Sequence, residues 1–568
     1  MRKLLLAASS LCTAAPVMAQ DPPSSFPVEI RVDIADEVGP LKPVWRFFGA
    51  DEPNYATMQH GRELLGHLGQ IGPQRTFFRA HNLLTTGDGT PDLKWGSTNA
   101  YTEDADGNPV YDWTILDEIF DAYLQNGVRP YVQIGFMPEA LSVKPQPYKH
   151  SWTPTAKYEE IYTGWAYPPT DYEKWEELVY QWVTHCIDRY GREEVETWYW
   201  QTWNEPNIGY WQGTLEEFCK LHDYAIAGVK RALPTATVGG PDVAGDGGEF
   251  IEGFFDHILN GTNHATGDAG TPTDFVSFHA KGSPRFIEDE GEAGFVRMGI
   301  DAQLRTIDRG FERIASYPQL KDKPIVIGES DPEGCAACQG PQLGYRNGTM
   351  YSSYTAASFA RKMELADRHG VNFEGALTWA FEFEDQPFFA GQRVLATNGL
   401  DLPVLNVFRM FGHMIGDGEA TRVATTSTAA STVDEMIEGG VRGDPDVAAL
   451  AATTPNGLTS VMVWHYHDDD LSGPDAAVTL KLSNLPNCDV AITEYRIDAT
   501  HSNTYAVWQA MGAPAELTPE QYTQLDAAGG LATTGEAQTT TIQSGTLTLA
   551  FELPRQSVSL FVIRGASE

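Results

Sequence analysis

Basic residues are scarce: 39 Lys and Arg stand against 77 Asp and Glu in 568 residues, a formal net charge of −38. An acid surplus of this size repels phosphate backbones and anionic lipid, which argues against nucleic acid or an acidic membrane as partner of the bulk surface. Long apolar runs are also missing. The stretch 4–17 is too short to span a bilayer, which takes ~20 apolar residues, and no later stretch is long and apolar enough to act as an anchor. Cysteine is rare, six in all, so the fold cannot lean on a dense disulfide framework. No Gly-rich phosphate loop follows the first strand-like run, and no internal repeat is visible.

The short apolar run has a different meaning. Met1-Arg2-Lys3, the apolar segment and Val17-Met18-Ala19 have the layout of a secretory signal, so residues 1–19 are expected to be removed and the protein to be periplasmic or secreted. Cys12 leaves with that segment. Cys186, Cys219, Cys335, Cys338 and Cys488 remain, an odd number. In an oxidising compartment Cys335-Ala-Ala-Cys338 reads as a small disulfide loop, with two free thiols as the alternative. A structural zinc site would need a second ligand pair that the sequence lacks. The other three cysteines read as buried small apolar residues.

Apolar residues make up 42% and aromatics 11%, with 14 Trp and 23 Tyr, which is material for a large core and excludes a disordered chain. From 44 to 414, short β-rich runs alternate with helical patterns. Strands are predicted at 44–50, 75–80, 129–135, 196–203, 236–240, 275–279, 324–328 and 373–381. Helices are predicted between them, as at 172–190, where Trp175, Leu178, Val179 and Trp182 form an apolar stripe at helical period. Eight strand–helix units predict an α/β fold, a parallel (β/α)8 TIM barrel over 44–414. The alternative, an open doubly wound sheet, lacks its phosphate loop. Beyond 414 the strand-like runs and turn signals predict an accessory all-β sandwich over 415–568, with 20–43 contributing one more strand at 28–32. Asp468-Asp469-Asp470 reads as a solvated turn, since calcium-loop spacing is absent.

In such barrels chemistry sits at the C-terminal ends of the strands. Strand four runs into Trp203-Asn204-Glu205-Pro206-Asn207 and strand seven into Gly328-Glu329-Ser330-Asp331-Pro332, which brings two carboxylates to one mouth. Two such groups can break a glycosidic bond with retention when they stand ~5–5.5 Å apart, one attacking the anomeric carbon and the other donating and then removing a proton. The proton donor needs a raised pKa, and the nucleophile needs donors that keep it ionised. Arg79, ending strand two, is a candidate for that task, with a rim salt bridge as its alternative role.

These two motifs, with the run Gln133 to Ser142, resemble glycoside hydrolase family 39, a family of retaining (β/α)8 glycosidases that includes β-xylosidases and α-L-iduronidases. The resemblance implies Glu205 as general acid/base and Glu329 as nucleophile. It also implies an oligosaccharide or polysaccharide substrate and neither cofactor nor metal. Further sugar contacts implied by it are Asn204, His81 and His279. Trp379 could stack on a sugar face, and Glu382, Glu384 and Asp385 resemble the family's hydroxyl-binding acids. Lys281, two residues after His279, departs from the xylosidase pattern and matches the iduronidase one, where an ammonium would meet a sugar carboxylate. The Cys335/Cys338 loop, just past Glu329, is expected to shape the subsite wall. The sequence therefore reads as an exo-acting retaining glycosidase, β-xylosidase as a working name, with the loop 141–170 closing the cleft. Arabinosides, uronides or an endo action are the alternatives within the class. A non-catalytic carbohydrate-binding protein is the alternative outside it.

Overall fold

A computed structural model describes residues 25–150, 152–288 and 294–565. The expected signal segment, residues 1–19, lies outside these. Eight parallel strands close into a barrel in chain order: Phe47–Ala50, Thr76–Ala80, Val128–Ile134, Tyr199–Thr202, Thr237–Val243, Phe275–His279, Ile325–Glu329 and Phe373–Thr378. The last pairs with the first through Leu377 and Phe47. Strand four is half the expected run, because Arg192–Val195 forms a helical turn that Glu196 continues with φ −63° and ψ −18°.

Strand periodicity explains how the barrel is filled. Alternate residues point inward, and Phe47, Phe77, Tyr131, Phe275, Val326, Leu377 and Trp379 form a separate interior cluster with Tyr199 packed against it. Phe47 and Phe77 stack at 5.2 Å, and Tyr131 and Tyr199 meet edge-on at 5.3 Å. Above this aromatic floor the same inward rows continue into polar residues: Phe47 leads to Gly49 and Asp51, Phe77 to Arg79 and His81, and Phe275 to Ser277 and His279. The outward positions, such as Phe48, Phe78 and Phe278, pack under the helices. Helix Tyr172–Tyr190 buries its Trp175, Leu178, Val179 and Trp182 stripe and is capped by the Asp171 carboxylate, which accepts from the N–H groups of Glu173 and Lys174. Such a cap contributes ~1 kcal/mol.

The accessory domain is one ten-stranded mixed sheet that folds on itself. Its first strand is Phe26–Pro40, which pairs parallel with Ala476–Ser483 and antiparallel with Thr421–Ser427. Strands far apart in the sheet order meet across the fold: Phe551 and Phe561 lie 4.7 Å apart, and the apolar interior runs from Val28 and Ile30 to Val461 and Ile563. The domain is not wholly β, because helices Thr504–Ala510 and Pro519–Gly529 are inserted beside the sheet.

Of the three aspartates expected in a solvated turn, only Asp470 is exposed. Asp468 and Asp469 are buried where the sheet meets the barrel. Asp469 pairs with Arg297, and Asp468 accepts from the Tyr466 hydroxyl at 2.6 Å and gives its carbonyl to Met298 N–H. Cys186 and Cys219 are buried, whereas Cys488 is exposed in the connection just before strand Asp489–Ile497. Among the described residues no helix is long and apolar enough to cross a membrane.

Candidate active site

Two local departures from regular backbone aim the paired glutamates. In strand seven the alternation that turns Val326 and Gly328 inward would turn residue 329 outward. A register shift between Ile327 and Glu329 against strand six reverses this, which is a recognised use of a bulge beside a site. Gly328 is required there, since a methyl group at 328 would run into the Asp242 carboxylate. After strand four, Trp203 and Glu205 take positive φ, 67° and 43°, at a cost of ~1–3 kcal/mol each. Surrounding bonds offset it: Trp203 Nε1 donates to Tyr210 O at 2.9 Å, and Glu205 N to Asp242 O at 2.8 Å.

The result brings an oxygen of Glu205 and an oxygen of Glu329 within 4.8 Å of each other, with His279 Nδ1 in the same group. Both carboxylates are buried, 4% and 3% exposed. Lys281 Nζ bridges them, 2.6 Å from Glu205 and 2.7 Å from Glu329. His279 Nδ1 stands 2.9 Å from Glu205 and 3.7 Å from Glu329. Burial pushes both acids toward the neutral form, and the Lys281 ammonium with His279 outweighs it. Glu329, which also feels His81, is held well below the usual carboxylate range, and Glu205 is held below it as well. The direction for Glu205 is opposite to the raised pKa that a proton donor needs, and the cause is Lys281. Burial lowers His279, but the charges of Glu329 and Asp242 carry it up to about 8.

Arg79 is fully buried and organises the floor of the site. It pairs with Asp242 at 2.8 Å, stands 3.7 Å from Glu329, and donates to Gln201 and to Asn204 Oδ1, each at 3.0 Å. It is a lumen group, not a rim salt bridge. Burial raises Asp242, but the Arg79 charge and His279 hold it below its ordinary range. The bond to Arg79 fixes the amide of Asn204, whose buried Nδ2 has no hydrogen-bond partner. His81 touches Asp51 at 3.1 Å and Glu329 at 3.5 Å, and its ring lies 4.4 Å from that of Trp379. Trp379 Nε1 donates to Asp51. Asp51 also pairs with Lys94.

The other acids separate. Glu382 is buried; one oxygen accepts from Gly399 N and the other is unpartnered, and burial carries its carboxyl up to about 7. Glu384 instead accepts from the N–H groups of His60 and Gly61 at the start of helix Gln59–Gly69. Asp385 is exposed on a turn with φ 63°. Neither joins the paired carboxylates, because this loop folds back onto that helix. Cys335 and Cys338 are bonded and, with Glu205 and Lys281, line a cavity of about 500 Å³. A larger cavity, about 750 Å³, lies beside Lys230 and Asn263 and contains none of these groups, so size alone does not locate the site.

Sequence reasoning missed Asp51, Lys94 and Asp242. Asp51 had a signal, since Phe47, Gly49 and Asp51 share one inward row. Lys94 arrives on a loop with no local pattern.

Among the described residues two clusters have the residue types of metal ligands, Asp223 with His257 and His264, and Glu205 with His279 and Glu329. In the first, the Asp223 oxygens already accept from both imidazoles, from His264 N and from the Thr271 hydroxyl, so it reads as a tie holding the 261–271 loop to helix Leu215–Ala232. In the second, the Lys281 ammonium stands where a cation would be placed.

Comparisons with known proteins point the same way. The model of the family "Glycosyl hydrolases family 39" matches residues 28–547. A β-xylosidase of Geobacillus stearothermophilus is 25% identical over 518 residues, 88% of this chain and 89% of the relative. An α-L-iduronidase of Mus musculus is 26% identical over 545 residues, 88% of this chain and 75% of the relative. Among solved structures, a bacterial orthologue of human α-L-iduronidase superposes with a TM-score of 0.74 at 20% identity, covering 95% of this chain and 84% of that one. A monomeric β-xylosidase from Caulobacter crescentus CB15 superposes at 0.70 and 20% identity, covering 95% and 99%.

Proposed function

The chain belongs to family 39 of the glycosyl hydrolases, and on that premise we propose that it releases a terminal sugar by double displacement, Glu329 attacking the anomeric carbon and Glu205 serving as acid and then base. The observation that carries the mechanism is the separation of the two carboxylates, within 4.8 Å oxygen to oxygen. So close an approach of the nearest oxygens agrees with the ~5–5.5 Å between the carboxyl groups of retaining enzymes. Glu329 is the more strongly ionised of the two, as a nucleophile should be. Asn204 Nδ2, buried and unpartnered, suits the hydroxyl next to the reacting carbon. An exo mode is supported by the loop after strand three, which is tied to the loop after strand four through Gln212 N and Ala166 O. We place the enzyme in the periplasm or outside the cell, a location compatible with the Cys335–Cys338 bond.

Two substrates share the configuration this site would read. A β-xyloside and an α-L-iduronide have the same arrangement from C1 to C4 and differ in whether C5 bears a carboxylate. The xyloside is the first reading. The uronide is favoured by one observation, Lys281. Whatever group of the sugar engages that ammonium takes from Glu205 the cation that keeps it ionised, leaving the charge of Glu329 to raise its pKa. Binding thereby arms the proton donor.

The test is a panel of nitrophenyl glycosides, namely xyloside, arabinofuranoside, arabinopyranoside and iduronide, on wild type and Lys281→Ala. Xyloside turnover that survives the substitution in part supports the first reading. Uronide turnover that collapses selectively supports the second. Saccharide binding without any turnover would make the protein a binder and overturn both.

A further inference from the structure

We infer that the cavity beside Glu205 is the leaving-group subsite and that it selects alcohols with an apolar face over polyols. The inference rests on the reading of Glu205 as acid/base. A proton donor lies next to the oxygen it protonates, and Glu205 lines this cavity whereas Glu329 does not. The sugar therefore belongs on the Glu329, His81 and Trp379 side, and its departing partner belongs here. At about 500 Å³, the cavity is in the range of small-ligand pockets, ~300–1,000 Å³.

Its walls set the preference. Ile208, Pro284, Leu343 and the Cys335–Cys338 bond form its apolar patch, and Lys281, Ser283 and Gln342 are the other polar side chains beside Glu205 and Glu333. Of the six large apolar side chains exposed among the described residues, Ile208 lines it at 39% exposed, and Phe286 follows Pro284 by two residues. Glu333 is the other carboxylate on the wall, and it is already occupied: it accepts from Arg346, Arg393, the Tyr345 hydroxyl and Cys335 N–H. Those bonds with Arg393 and Arg346 outweigh its burial and hold it ionised, at about 2. It therefore has little left to offer a sugar hydroxyl. The wall is also fixed in place. Arg346 donates to the carbonyls of Cys335, Ala336 and Cys338, so the short loop closed by the disulfide is held from beneath by a buried guanidinium. A rigid wall whose apolar patch is made by Ile208, Pro284, Leu343 and the disulfide favours an acceptor that buries methylene or ring carbon against it.

The site can be read in the reverse direction of cleavage. With the sugar held as an ester of Glu329, an alcohol in the cavity forms a bond from its oxygen to the anomeric carbon while the ester carbon–oxygen bond breaks. The hydroxyl proton passes to the Glu205 carboxylate, and Glu329 leaves as carboxylate. Water competes for the same ester, so the ratio of transfer to hydrolysis reports how well the alcohol binds and does not depend on how much enzyme is folded.

The experiment supplies the methylumbelliferyl glycoside of whichever panel sugar the wild type hydrolyses, with methanol, propan-1-ol, pentan-1-ol, benzyl alcohol or glycerol as acceptor at equal concentration, and measures transfer against hydrolysis. Transfer is expected to rise about two- to fourfold per added methylene from methanol to pentanol, and to favour benzyl alcohol over glycerol by at least about tenfold. In Ile208→Asp and in Leu343→Ser the slope with chain length is expected to flatten. A flat series in the wild type, or glycerol transferred as well as benzyl alcohol, overturns the inference while leaving the glycosidase reading intact. Hydrolysis of none of the panel's glycosides overturns that reading instead.

Discussion

Lys281 Nζ stands 2.6 Å from Glu205 Oε1, a contact that keeps the candidate proton donor ionised inside the barrel. If this ammonium sets the charge of the pair, Lys281→Ala should move the acid limb of the kcat/KM profile to higher pH by about one to three units, the usual effect of losing an adjacent opposite charge. The profile on an uncharged glycoside is the measurement. An unmoved acid limb would mean that His279 and His81 hold the carboxylates without help.

Glu205 has a role that can be separated from that of Glu329 by the leaving group. Glu205→Ala should lower kcat/KM about 10²- to 10⁴-fold for an alkyl glycoside that needs protonation, and far less for a dinitrophenyl glycoside that does not. Azide should restore its turnover and give a glycosyl azide of the substrate's own anomeric configuration. An equal loss on both leaving groups would remove Glu205 from the acid/base role.

The barrel was legible because eight short β-rich runs alternate with helical patterns, such as the Trp175, Leu178, Val179 and Trp182 stripe. Boundaries were less so: the residues before Tyr199 look β-rich but turn helically at Glu196. In the accessory sheet, the strand Thr421–Ser427 carries mostly Thr and Ala and shows no apolar alternation, so it was missed. Within the site, Glu205 and Glu329 are legible from motif and strand position. The placement of Glu384 was not legible for a physical reason: composition shows an acidic loop, and only the fold shows that its carboxylate turns toward the start of helix Gln59–Gly69. Lys281 bridging both glutamates is likewise a product of the bulge after Ile327, which no local sequence pattern announces.

Gly328 is expected to tolerate no side chain. In Gly328→Ala the new methyl group meets the Asp242 carboxylate, so stability should fall by about 1–3 kcal/mol, and the Arg79–Asp242 pair that steadies Asn204 should be displaced. Urea unfolding, read together with kcat/KM, checks this. Wild-type values in both would show that the lumen has room the structure does not display.

His279 binds its proton more tightly in the folded chain, at about 8, than the ordinary 6.5 of an unfolded histidine. Its contribution to stability is therefore complete below about pH 6.5 and lost as pH rises through about 8, a difference of about 2 kcal/mol. The stability lead of wild type over His279→Gln, from urea midpoints across pH 5.5 to 9, should shrink over that window. A lead that is constant with pH would show that the imidazole is neutral throughout.

The pairing of Glu329 as nucleophile with Glu205 as acid/base is tested most directly by trapping the covalent intermediate. A 2-deoxy-2-fluoro glycoside with a good leaving group, of whichever sugar the panel identifies, should inactivate the wild type and add one sugar mass to the peptide containing Glu329. A label on any other residue, or rapid turnover with inversion and no label, would contradict the account.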